Sequence, residues 1–172
     1  MRPMIPKFPF VLLTSLALSA CGSASDGECN RGTLESDIRT TALQGTGVDA
    51  SGKLARGQYV LANSYVLLTG DSTTQQQFQQ VMKGIDTALK TQPGLVAYQF
   101  STSVSCDSAR ALTVWTDQDS MFAFAAGSAH SAAADMATTL GRRGSAVTYW
   151  NDDQSGATQA KGASQLAAVT PF

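Results

Sequence analysis

Ala109-Arg110-Ala111-Leu112-Thr113-Val114-Trp115-Thr116, followed at once by Asp117-Gln118-Asp119-Ser120-Met121-Phe122, is the stretch on which the fold turns. The first eight residues are rich in β-branched and apolar side chains and read as a strand. Asp117 or Asp119 can then cap a helix, because a carboxylate accepts from the free N–H groups of a first turn. Phe122, Ala126, Ala129, Ala133, Met136 and Leu140 recur at helical spacing, so the helix is expected to run to about Leu140. Gly127 is placed to break or kink it.

Reading outward from this stretch gives the rest of the domain. Ser105–Ser108 is a turn that joins the strand to a preceding one, Leu95 to Val104, as a hairpin. Pro93-Gly94 ends a helix over residues 74–91, whose Phe78, Val81, Met82, Ile85 and Leu89 share one face. The glutamines at 75, 76, 77, 79 and 80 form its solvated side. Tyr59 to Thr69 is a strand, with Gly70-Asp71-Ser72 as turn and cap. Beyond Gly141–Gly144, Ala146 to Trp150 is a fourth strand. The order β-α-β-β-α-β predicts an α+β, ferredoxin-like sandwich with both helices on one sheet face. The other face needs cover, which a second copy of the chain can supply. The expected division is a leader over 1–20, a tether over 21–57, the domain over 58–151 and a polar tail over 152–172. The tether and tail are small, polar and glycine-rich, with little apolar area to offset chain entropy; within the tail, Leu166 to Val169 can dock.

The leader itself is informative. Arg2 and Lys7 precede an apolar stretch, Phe8 to Ala17, too short to span a bilayer, and Leu18-Ser19-Ala20-Cys21 follows. This box resembles that of bacterial lipoproteins, which implies cleavage before Cys21, acylation at Cys21, and a membrane partner through the N-terminal lipid. The expected location is the cell envelope, at an outer membrane or cell surface. Removing Arg2 and Lys7 takes the formal charge from −1 to about −3. No basic face is implied, so nucleic acid is not an expected partner. Cys29 and Cys106 remain, an even number in an oxidising compartment, and suggest a disulfide worth on the order of 3–4 kcal/mol; two free thiols are the alternative.

Several motifs mislead. Gly47 to Lys53 copies the start of a phosphate-binding loop, but Leu54 stands where a Ser or Thr should hold magnesium. Gly45 to Ala50 mimics a dinucleotide fingerprint without its strand and helix. His130 is the single histidine, so two-histidine metal sites are excluded, and there is no C-x-x-C or G-x-S-x-G. No metal site is expected apart from an iron on His130 if haem binds.

Leu112 to Phe122, then Phe124 and Gly127-Ser128-Ala129-His130, resemble antibiotic-biosynthesis-monooxygenase-like domains, with Val147-Thr148-Tyr149-Trp150 similar to the closing strand of some members. The resemblance covers roughly residues 59–150. It implies a dimeric α+β barrel, hence a homodimer, and a small apolar ligand between helices and sheet, beside Trp115, Phe122 and Phe124. One subgroup degrades haem with a strand Asn and a helix His, to which Asn63 and His130 correspond; the Trp that distorts haem there has Phe124 near its place. Other members oxidise polycyclic substrates without a cofactor, the substrate's own carbanion reducing oxygen. His130 and Asn63 are therefore the candidate catalytic residues. Their structural alternatives are a packed or helix-capping imidazole and a strand-bound amide. The competing function is a non-catalytic ligand-binding or dimerisation module, favoured if the alanine-rich helix packs tightly and leaves little cavity.

Overall fold

The computed structural model describes residues 29–172; the leader and Cys21 lie outside the described residues. Five strands, β1 (Arg39–Thr40), β2 (Gln58–Leu67), β3 (Leu95–Ser103), β4 (Ser108–Trp115) and β5 (Ala146–Asp153), form one antiparallel sheet in the order β1-β3-β4-β2-β5. Between β2 and β3 runs α1 (Ser72–Thr91). Between β4 and β5 run α2 (Gln118–Ala125) and α3 (Ser128–Leu140). Each crossover skips one strand, which puts β4 beside β2 and both helical connections on one face. The chain is α+β and ferredoxin-like, as its element order predicts.

Local chemistry sets the boundaries. Asp71 caps α1 by accepting from the Thr74 N–H at 2.8 Å, and Asp117 caps α2 by accepting from the Ser120 N–H at 2.7 Å. The expected long second helix is two: the Gly127 N–H turns back to the Phe124 carbonyl at 2.9 Å, Gly127 leaves helical geometry, and α3 restarts at Ser128. Gly94 ends the turn after α1 at φ +77°, where a Cβ would be strained and would collide with Ser120.

Strand alternation sorts the core into two layers. On the helix side Val60, Ile85, Leu89, Tyr98, Trp115, Met121 and Phe124 pack together. On the other side Leu61, Val96, Ala97 and Val114 form one cluster, and Tyr65, Leu67, Ala146 and Leu166 another. This second face is where the structure departs from the sequence reading. Residues 29–57 are not a tether but a layer against the sheet. β1 pairs with β3, and Gln44 bridges to Tyr98. Glu35 is buried against Arg110, Nε to Oε2 at 3.2 Å, and accepts from the Ser108 hydroxyl at 2.6 Å. The Arg110 guanidinium also donates to the carbonyls of Asn30, Arg31 and Thr33, and lies 4.3 Å from the Tyr65 ring centroid. Cys29 and Cys106 are joined by a disulfide with Cα atoms 5.4 Å apart.

The tail is corrected likewise. β5 runs on to Asp153, and α4 (Gln159–Leu166) packs on β2 and β5 with Gly162, Ala163 and Leu166 buried. The sheet face for which a second copy was the expected cover is thus covered by the chain's own two ends. The physical reason is that small residues let α4 approach closely, and that an ion pair, backbone pairing and a disulfide hold residues 29–57 where composition shows little apolar area.

Candidate functional site

The helix-side layer is not filled. Between the sheet and α1, α2 and α3 lies an open cavity of about 610 Å³. Its floor is the helix-side row of the sheet: Ala62, Ser64 and Val66 of β2, Ala111, Thr113 and Trp115 of β4, and Val147 and Tyr149 of β5. The predicted face of α1 supplies Phe78, Val81, Met82, Ile85 and Leu89. The cavity exists because side chains above and below are short. Ala62, Ser64 and Ala111 lie on the floor, and Ala133, Ala134 and Ala137 of α3 on the roof. The competing, non-catalytic reading rests on the alanine-rich helix closing this space; the helix opens it instead, because the two alanine surfaces meet across a layer spacing set by larger neighbours.

His130 stands in this cavity on the first turn of α3. The break at Gly127 aims it, since α3 begins afresh two residues earlier. Its ring meets Phe124 edge to face at 5.5 Å, and Phe124 in turn lies 5.5 Å from Trp115. Burial holds the imidazole below its ordinary value of 6.5, the nearby Ala125 backbone opposing part of that shift. A neutral imidazole keeps a free lone pair on one of its two ring nitrogens. No carboxylate, lysine or arginine is among the lining residues. Phe122 is at the opening, edge to face with Tyr149 at 5.5 Å, and the Tyr149 hydroxyl accepts from Gln118 at 3.3 Å.

Trp115, Phe122, Phe124 and His130 are therefore brought together, and Asn63 is not. Strand parity puts Asn63 with Leu61 and Tyr65 on the opposite face, where its amide donates to Gln159 of α4 at 3.0 Å and is 1 % exposed. Only its backbone borders the cavity. Asn63 is a strand residue satisfying α4, and the pairing of Asn63 with His130 is corrected. This bears on haem. The Asn–His pair is not assembled, and the cavity offers no cation for the two propionates, so the residues present do not fit haem. Among the described residues there is no group of three or more metal-type ligands, and no helix long and apolar enough to cross a membrane.

No protein-family profile matches the chain, and no curated relative does. Solved structures do. A candidate monooxygenase from Fusobacterium nucleatum superposes with a TM-score of 0.52 at 9 % identity, over 68 % of this chain and 50 % of its own. The fold shared with it is α+β and ferredoxin-like. SnoaB, a cofactor-independent oxygenase from Streptomyces nogalater, is similar at 21 % identity and TM-score 0.42, over 54 % of this chain and 90 % of its own. A dimeric ferredoxin-like protein from Jannaschia sp. is similar at 18 % and 0.46, over 53 % and 97 %. The chain spans about half the length of the first of these.

Sequence reasoning missed most of the lining. One signal could have found the floor: Ala62, Ser64, Ala111 and Thr113 are small at alternate positions, while Leu61, Tyr65, Leu112 and Val114 between them are large. Tyr149, Val147 and Phe172, which complete the opening, carried no such mark.

Proposed function

We propose that this protein is a lipid-anchored, cell-envelope oxygenase of the monooxygenase-like α+β type, acting on a small apolar substrate without a bound cofactor. The observation that carries the reading is the placement of one neutral imidazole in a cavity lined mostly by apolar side chains. Such a cavity selects for apolar area and fixes orientation with few polar groups. The free nitrogen of His130 takes a proton from an acidic C–H of the substrate. The resulting carbanion gives its electrons to dioxygen; one oxygen atom enters the substrate and the other leaves as water. A substrate that fills the apolar cavity displaces water from around the carbanion and so slows its reprotonation by solvent.

The test uses anthrone in air, whose central CH₂ is acidic and whose oxidation gives anthraquinone and water. His130→Gln is expected to lower the rate by roughly 10²-fold or more, the usual contribution of a positioned base, while anthrone binding is kept. An unchanged rate in the variant, or no oxygen uptake by the wild type, would count against the reading.

The pH dependence has a defined sign. His130 is neutral in the fold and its value is held below 6.5, so the folded chain binds fewer protons than the unfolded one as pH falls past 6.5. Both rate and stability should fall on acidification through that window, and the His130 contribution should level off below its folded value. In thermal unfolding between pH 8 and about pH 5, His130→Gln should show a shallower decline than wild type; parallel curves would contradict the assignment.

A further inference from the structure

Most of the large apolar side chains that the described residues leave exposed border one opening. Phe122 is 46 % exposed, Val147 50 %, Tyr149 47 % and Phe172 52 %, and all four line the cavity. Their arrangement is a strip along the outer strand β5, from Phe172 at its start, where the Phe172 N–H donates to the Ser145 carbonyl, to Phe122 and Tyr149 further along. Scattered exposed apolar residues need no explanation; a strip that continues into an apolar cavity does.

The place where the anchor would join the domain decides the occupant. Cys29 is held to Cys106, and the Cys106 carbonyl accepts from Arg142 at 2.6 Å. Two residues on, the Gly144 N–H donates to the Phe172 carbonyl. The entry of the chain and the start of the strip therefore share one end of the sheet. From Cys21 to Cys29 is eight residue steps, which reach at most about 28 Å when fully extended. An acylated Cys21 would thus hold Cys29 within about 28 Å of the bilayer and turn this end of the domain toward it. Tyr and Phe are suited to that boundary, with Tyr149 offering a ring and a hydroxyl.

We infer that Phe122, Val147, Tyr149 and Phe172 rest on the lipid surface, so that the cavity opens into the leaflet and takes as ligand an apolar molecule dissolved there. This rests on the lipid-anchored reading above.

The test uses the full-length chain extracted from membranes and reconstituted in phosphatidylethanolamine and phosphatidylglycerol vesicles with or without brominated acyl chains. Intact mass first reports cleavage and acylation at Cys21; an unmodified chain would end the anchored reading itself and the inference with it. With acylation shown, Tyr149→Trp should lose much of its added emission to brominated lipid, whereas Lys83→Trp, on the outer side of α1, should not. In a Trp150→Phe background, where Trp115 in the cavity wall is the remaining indole, 1-bromopyrene dissolved in the bilayer should quench Trp115, and Phe122→Ser with Tyr149→Ser should weaken that quenching. Equal responses at 149 and 83 would overturn the inference while leaving the anchor intact. A doubled molar mass in detergent together with an unquenched 149 would give the strip to a second copy, and would overturn it equally.

Discussion

Glu35→Ala should destabilise the protein by about 3–5 kcal/mol, the cost of stranding one partner of a buried ion pair. Glu35 and Arg110 are each about 1 % exposed at the side chain, so neither can be rescued by water in place. Arg110 would keep its bonds to the carbonyls of Asn30, Arg31 and Thr33, but its charge would lie uncompensated against Tyr65. The Ser108 hydroxyl would also lose its acceptor. Denaturant unfolding followed by circular dichroism checks this. A midpoint within error of wild type would mean that residues 29–57 are not held as described. The double variant Glu35→Leu with Arg110→Met should recover part of the loss, because removing both charges removes the penalty for burying either.

The second large effect concerns Cys29 and Cys106, separated by 77 positions. Closing a loop of that size removes unfolded-state entropy worth about 4.5 kcal/mol in the chain-entropy model. Cys29→Ser with Cys106→Ser should therefore lower stability by a similar amount, and reductant should have no further effect on that variant. The disulfide and the ion pair pin the same few residues, so the combined loss should differ from the sum. Two thiols that alkylate freely without reductant, in otherwise folded protein, would contradict the pairing.

How far the sequence reaches differs between the layers. The strands and helices over 58–150 are legible because each carries its own period: alternation in Leu61, Asn63, Tyr65 and Leu67, helical spacing in Phe78, Met82, Ile85 and Leu89. The covering layer is not legible, since nothing in the sequence links Glu35 to Arg110 or Gly162 to Asn63. These are contacts between distant segments made by polar or very small residues. The site divides in the same way. His130 and Phe124 announce themselves by type and by the break at Gly127. Asn63 was misread because its parity places it under α4, a helix that composition gave no reason to dock there. The cavity is a property of alanines on two elements at once, and single-element periodicity registers an alanine face as a packing face.

The space between the helices and the sheet should hold a small apolar ligand beside His130. Equilibrium titration with Nile red tests it most directly, comparing wild type with Ala133→Phe, which puts a ring into the cavity from α3. Wild type should bind saturably with a blue-shifted emission, and both should be lost in Ala133→Phe, whose thermal midpoint should be little changed because the added ring fills space that is already there. Binding that persists undiminished in folded Ala133→Phe, or that never saturates in wild type, would contradict it.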